Sequence, residues 1–522
     1  MRKFKRLVSA IMTLALVASL YVATGNTITA EAAGVTIGGV VISGSDVVIA
    51  ASGTTSSEDG LYHLIASDAC ESAPSGTDVA QAAVAASTTF TVPLNKGNAN
   101  SVLLKKFTIC VMKGGVLSAA SNSMFITNPE GCATYACNRM DYGKKGILPA
   151  LETYQANQNR PKDLGCTQVT LTLPLSWITN GAGTPYTFNG QTYHFETAKL
   201  SGFDFSLRKY NSQGCQVTLI IVADAGANAT FISPYAADGL GLHNYYGLNG
   251  ANSDGLNMLG AAASFLANRW SGRGFGQVDN FIIGNEVNAW TDWNYMNCGS
   301  IDVYAQQYAN AFRAMYNGIK SENANANVYI CTDQQWAKAG ASYYYAGKTL
   351  IEKFNSIIKS QGNIDWRLAT HAYMTPLTSA TPWASSSYLT HSQSSPYISL
   401  QNIDVVTDFM CQSDYLSPTG AVRTVKLSEQ GYTSLTGEEY QAAAVVYAYL
   451  VAMNNSYIDG LIISREVDST AEIAQGLANG LCNVDGSHKL SYSYYQNASD
   501  PNIIAQASAI AGVDLTTKIT AR

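Results

Sequence analysis

Apolar and polar residues follow two different rhythms along this chain. From about Gly34 to Asn128 they alternate in short runs: VTIGGVVISGSDVVIAASG, TTFTVPL and LLKKFTICVMKGGVLSAASNSMFIT, broken by Gly, Ser and Asn. Period-two alternation between turn residues at this spacing predicts short antiparallel strands, and together they predict a small all-β sandwich of immunoglobulin-like type. After Asn128-Pro129-Glu130-Gly131 the rhythm changes. Continuous apolar runs appear at 167–175, 215–225, 278–286, 327–333, 364–373, 423–430 and 458–464, and longer stretches with helical spacing separate them, at 147–155, 255–270, 303–321, 342–360 and 439–455. Runs without polar alternation suit parallel strands covered on both faces. Strand–helix alternation over this length predicts an α/β fold. Seven runs are plain, and RMDYGKKGI at 139–147 supplies a weak eighth. Eight strands close a (β/α)8 barrel; without the eighth, an open doubly wound sheet is the alternative. The expected organisation is a leader over 1–33, a β-sandwich accessory domain over 34–130 and a barrel domain over 131–522.

The leader changes the picture of where the protein works. Arg2, Lys3, Lys5 and Arg6 precede an apolar stretch from Leu7 to about Ala23, and Ala30-Glu31-Ala32 fits a small-residue cleavage site. That is the build of a secretory signal peptide, with an uncleaved anchor as the alternative. The expectation is a secreted, extracellular protein with no stable membrane insertion. Of the 522 residues only 13% are charged, the net charge is −6, and no Lys/Arg run follows the leader, so nucleic acid is not an expected partner. The 31 tyrosines offer flat apolar faces with polar tips, which suits polar ligands in clefts. Oligomeric state is left open. The ten cysteines allow disulfides in an exported chain, Cys132–Cys137 or Cys70–Cys110 first, although several sit at the edges of apolar runs and fit equally as small buried side chains. No spacing of Cys or His suggests a metal, and no cofactor motif is present: there is no GxGxxG after a strand, no GxxxxGK[ST], no GxSxG and no HExxH.

Barrels of this kind do chemistry at the C-terminal ends of their strands. Reading those ends in order gives Ser176-Trp177, Asp224, Asn285-Glu286, Asp333 through Trp336, His371 with Tyr373, Glu429-Gln430, and Arg465-Glu466 with Asp468 beyond. Glu286 and Glu429 end the fourth and seventh strands, which face each other across a closed mouth. Two converging carboxyl groups are what hydrolysis of a glycosidic bond requires, one to protonate the leaving oxygen and one to attack the anomeric carbon or activate water.

Gly284-Asn285-Glu286, His371-Ala372-Tyr373 and Leu427-Ser428-Glu429-Gln430-Gly431 together resemble the clan-A retaining glycoside hydrolases of the TIM-barrel superfamily. The longer DNFIIGNEVNAW, with an amino-terminal β-domain, resembles an uncharacterised family of secreted bacterial proteins within that superfamily. The resemblance implies Glu286 as acid/base, Glu429 as nucleophile, Asn285 as a hydrogen-bond donor to the sugar hydroxyl beside the anomeric carbon, Tyr373 as a partner of Glu429, and His371 on the same wall. It implies a carbohydrate as substrate. Two departures stand out. Val287 follows Asn-Glu where many members have Pro, and the last strand carries Arg465, Glu466 and Asp468 where members often present a Trp. Trp290, just after the acid, and Trp336, near a strand end, are the expected sugar-stacking rings, ahead of Trp177 and Trp293. The competing readings are a carbohydrate-binding protein that uses the barrel cleft without turnover, and a surface-attached adhesion protein.

Overall fold

A computed structural model describes residues 34–72, 75–150, 157–179, 183–338 and 342–522; the expected signal peptide lies outside them, as does most of the helix expected over 147–155. The alternating amino-terminal runs form seven strands: β1 (Val35–Ser43), β2 (Asp46–Gly53), β3 (Leu61–Ser67), β4 (Thr77–Ala83), β5 (Ser87–Pro93), β6 (Lys106–Lys113) and β7 (Val116–Phe125). They pair antiparallel into two sheets, ordered β1-β2-β5 and β4-β3-β6-β7. In β5 the alternation is complete, with Thr88, Phe90 and Val92 buried and their neighbours exposed, as a strand with one wet face requires.

The remaining strands are β8 (Lys145–Ile147), β9 (Gln168–Pro174), β10 (Thr184–Phe188), β11 (Gln191–Phe195), β12 (Gln216–Val222), β13 (Asn280–Ile283), β14 (Asn327–Thr332), β15 (Trp366–Thr370), β16 (Val425–Gln430) and β17 (Ile458–Ile463). All but β10 and β11 close an eight-stranded parallel barrel, with β8 pairing β17 on one side and β9 on the other. The weak first strand is real but only three residues long, and its polar appearance has a cause. Lys145 leaves the barrel wall to place its ammonium 4.6 Å over the Tyr495 ring and to bond the Gln496 carbonyl. Helices Ser253–Arg269, Ile301–Lys320, Gly347–Ser360 and Glu438–Met453 fall where helical spacing places them. The hairpin β10–β11 and helix Leu200–Ser212 are additions to that reading. The hairpin turns on Asn189-Gly190, both in the left-handed region (φ 49° and 75°), which is the Asn-Gly signal for a tight hairpin.

The barrel is filled. Ile220, Val222, Ile282, Tyr329, Cys331 and Ala369 form its inner layer, and a polar floor lies below. There Lys426, wholly buried, pairs with Asp459 at 3.0 Å and bonds Gln168 at 2.8 Å, while Tyr329 and Thr424 hold the other Asp459 oxygen. The β-module docks on the barrel's flank at helix Ile301–Lys320. Asn317 bonds the Leu103 carbonyl, Lys96 pairs with Glu322, the Arg313 guanidinium lies 5.0 Å from the Phe125 ring, and the Phe125 amide bonds the Gln361 carbonyl. The expected disulfides are absent: all ten cysteines are free. Several fill buried positions instead, Cys137 donating to the Ser271 carbonyl and Cys215 to that of Cys166. No described helix is long and apolar enough to cross a membrane.

Candidate active site

The fourth strand delivers its acid through a forced turn. β13 ends at Ile283; Gly284 then takes φ 80° and Glu286 φ 40°. A non-glycine residue in the left-handed region costs about 1 kcal/mol or more and persists only where its surroundings hold it. Here they do. Two tyrosines one helical turn apart on helix Ile301–Lys320 donate to backbone carbonyls flanking the turn, Tyr308 to Ile283 at 2.7 Å and Tyr304 to Val287 at 2.6 Å. The Val287 amide bonds the Cys331 carbonyl, and Asn288 pairs with Asp333 through its amide group. Val287 is wholly buried at the position where Pro was the family expectation.

The seventh strand uses a different device. The register of β16 against β17 shifts between Leu427 and Gln430. An irregularity of this kind re-aims the side chain it carries, and it lets Glu429 face the mouth although Lys426 and Ser428 continue the inward alternation below.

His371, at the end of β15, joins the two. Its Nδ1 lies 2.7 Å from Glu286 Oε1 and its Nε2 lies 3.8 Å from Glu429 Oε1, so one imidazole ring spans the gap between the carboxyl groups. The Glu286 side chain is 14% exposed and that of Glu429 21%, while His371 has no exposed surface. Burial pushes the Glu286 carboxyl up from its ordinary pKa; the His371 contact opposes this, and Asp333 and Glu429 add to it. Burial disfavours a charge on His371, yet Cys331, Glu429 and Glu286 outweigh it and its pKa rises well above the usual value. The pair therefore holds protons tightly: in a dry site flanked by acids, each added proton relieves repulsion. Tyr373 donates to Glu429 Oε2 at 3.4 Å, a long bond, and packs edge-on to His371. Asn285 is 8% exposed, and its Oδ1 has no hydrogen-bond partner among the described residues.

Glu286, Glu429, Asn285, His371 and Tyr373 thus meet at one mouth. The aromatic expectations fare differently. Trp336 is 2% exposed and packs edge-on against Phe409 at 5.1 Å, so its ring belongs to the core and is not a sugar platform. The correction has a plain cause: the chain turns inward after β14, where the Trp336 amide bonds the Pro396 carbonyl. Trp290 is half-buried in an aromatic row, near-parallel to Tyr295 at 6.1 Å and to Tyr345 at 5.9 Å. His371, expected on the cleft wall, touches the carboxyl groups from behind because it is fully buried. The acids at the last strand are braces. Glu466 accepts from the amides of Ala150 and Asn157 and pairs with Arg160, and Asp468 pairs with Lys489 at 2.6 Å.

Cys331 and Tyr245 at the mouth escaped the sequence reading, and Asp333 was read there only as a strand-end residue without a role. Asp333, buried with its pKa raised by that burial, is held by Asn288 and Gln335. Cys331 lies 3.3 Å from His371 Nε2; its alternation with Tyr329 along β14 would have aimed it inward. Tyr245 packs against the inner layer, and its pKa is raised by burial and by Glu429 and Asp224. It comes from the Gly-, Asn- and Tyr-rich segment after β12, where no periodicity marks it. Among the described residues no group of three or more His, Cys, Asp or Glu is arranged to hold a metal ion.

Residues 138–519 match the model of a family of unknown function, DUF5722. The chain belongs to that family. The DUF5722 match takes in all eight barrel strands and every residue named at the mouth. No curated protein matches the chain in sequence. Among solved structures it is similar to a family 39 glycoside hydrolase from the gut symbiont Bacteroides cellulosilyticus WH2 (13% identity, TM-score 0.47, 85% of this chain and 77% of that one). It is also similar to GH5_18 from Bifidobacterium longum subsp. longum ATCC 55813 (10%, 0.46, 69% and 80%) and to a hyperthermophilic beta-glucosidase from Pyrococcus furiosus (13%, 0.45, 71% and 88%).

Proposed function

We propose that this protein is a secreted glycoside hydrolase that cleaves O-glycosidic bonds of a polysaccharide or oligosaccharide by a retaining, two-glutamate mechanism. One observation carries the reading: Glu286 and Glu429, 143 positions apart in sequence, reach opposite sides of a single buried imidazole. Glu286, dry and pushed up in pKa, is the group suited to hold a proton near neutral pH. It gives that proton to the glycosidic oxygen as the bond to the anomeric carbon breaks. A Glu429 carboxylate oxygen forms the new bond to that carbon, and the alcohol leaves. In the second step the Glu286 carboxylate takes a proton from water, the water oxygen bonds the anomeric carbon, and the ester to Glu429 breaks. In this reading Asn285 donates to the neighbouring hydroxyl, an interaction of most use when it strengthens in the transition state. Export rests on the leader-like first 33 residues.

The test is a panel of aryl glycosides and polysaccharides. Turnover by the unmodified chain, lost in Glu286→Gln and Glu429→Gln with sugar binding kept, supports the enzyme; binding without turnover in the unmodified chain overturns it in favour of a carbohydrate-binding protein. Proton NMR of the first-formed sugar anomer tests retention, for which the two carboxyl groups work about 5–5.5 Å apart.

A further inference from the structure

His371 has two ring nitrogens and three neighbours that want them. Nδ1 is taken by Glu286 at 2.7 Å. Nε2 faces Cys331 Sγ at 3.3 Å and Glu429 Oε1 at 3.8 Å. The first distance suits a hydrogen bond to sulfur, whose radius is large; the second is too long for one to oxygen. Cys331 and His371 are both wholly buried, and the Ser428 hydroxyl lies 4.0 Å from the sulfur.

We propose that Cys331 is a positioning residue: its sulfur accepts the Nε2 hydrogen of His371, commits the ring to Glu286, and so leaves the Glu429 carboxylate free of the imidazole. This deepens the glycosidase reading and rests on it. A charge-assisted N–H···O bond is roughly twice as strong as a neutral one. Were Nε2 to swing the remaining distance to Glu429, it would tie up the lone pair that attacks carbon and draw Nδ1 away from the acid. A soft, weak acceptor beside Nε2 satisfies the donor without that cost. An aliphatic side chain there would leave a buried N–H without its sulfur acceptor and with the Glu429 carboxylate 3.8 Å away. The groups that face the ring are Glu286 from the end of β13, Cys331 and Asp333 from β14, Tyr373 beyond β15, and Ser428 and Glu429 from β16. Tyr245 lies across the same inner layer.

The experiment is direct. The full chain is labelled with 15N, and the ring nitrogens of His371, identified by their loss in His371→Gln, are followed by long-range 1H–15N correlation across a pH titration. Unmodified protein is compared with Cys331→Ser, Cys331→Ala and Cys331→Val, the last keeping the side-chain volume in case alanine leaves a hole that unfolds the chain. Loss of the acceptor should let His371 give up its proton at least about tenfold more readily in the alanine or valine chain, with serine restoring most of the difference. In parallel, kcat on an aryl glycoside that the unmodified chain turns over should fall in the same two variants with little change in KM. Titration curves that superimpose in all four chains overturn the proposal, whatever the activity. If the titration moves as expected while no glycoside is turned over by any chain, the positioning stands and the glycosidase reading falls.

Discussion

Replacing Glu286 with Gln is the sharpest perturbation this site offers. The amide keeps the side chain's shape and leaves an oxygen to accept from His371 Nδ1, now 2.7 Å from Glu286 Oε1, but the transferable proton is gone. General acid catalysis contributes about 10²- to 10⁴-fold, or about 2.7–5.5 kcal/mol of barrier. Glu286 is nearly dry, its side chain 14% exposed, and its pKa is raised, so a proton held there is well placed to be given at neutral pH. The upper half of the range applies, about 10³- to 10⁴-fold, for a leaving group that needs protonation. An acidic phenol departs without help, so for such substrates the loss in the glycosylation step should shrink to about tenfold or less. The assay is kcat/KM for a series of aryl glycosides whose phenols span a wide range of acidity, measured on unmodified and Glu286→Gln protein with equal melting behaviour. The variant's rates should depend far more steeply on leaving-group acidity. An equal loss across the series would refute the assignment of Glu286 as the proton donor, and the loss would then belong to binding or structure.

Three further outcomes follow from the same geometry. In the proposed mechanism turnover needs Glu286 protonated, and its pKa is raised, so the alkaline limb of kcat/KM should fall above the ordinary glutamate range as pH rises through that raised pKa; a pH–rate profile with its limb at the ordinary value would contradict this. At the barrel floor, Lys426→Met strands the Asp459 carboxylate and should cost about 3–5 kcal/mol in urea unfolding. Asp459 is held down to about 2, so the stability this pairing confers in the unmodified chain is present above the ordinary aspartate pKa and is lost as pH falls through about 2. Trp336→Ala should cost about 3–5 kcal/mol of stability while leaving sugar affinity of the folded protein unchanged, which calorimetric titration alongside melting would check.

Much of the barrel was legible because its strands are covered on both faces and so carry unbroken apolar runs. The barrel strands at 168–174, 216–222, 327–332, 425–430 and 458–463 lie within a few residues of the runs that mark them. β8 was faint because a three-residue strand has no room for a pattern, and Lys145 spends its length on Tyr495 and Gln496 outside the wall. The two glutamates were legible as strand-end acids. The devices that aim them were not: the left-handed turn at Glu286 and the register shift before Gln430 are consequences of tyrosine clamps and neighbouring strands. Trp336 misled for the complementary reason. A large aromatic residue near a strand end serves a cleft or a core equally well on composition, and only the path of the loop back to Pro396 decides which.

The flank on which the β-module sits has a consequence for anyone who would trim this protein. The family match begins at residue 138, but the interior does not: one continuous apolar cluster runs from Val40 and Leu103 into helices Ser253–Arg269 and Ile301–Lys320. Cutting at the match would take Leu104 from Gly260 and strip Asn317 and Arg313 of the Leu103 carbonyl and the Phe125 ring. The seven small strands thus roof the greasy outer side of those two helices, and a piece that keeps that side covered has to include them.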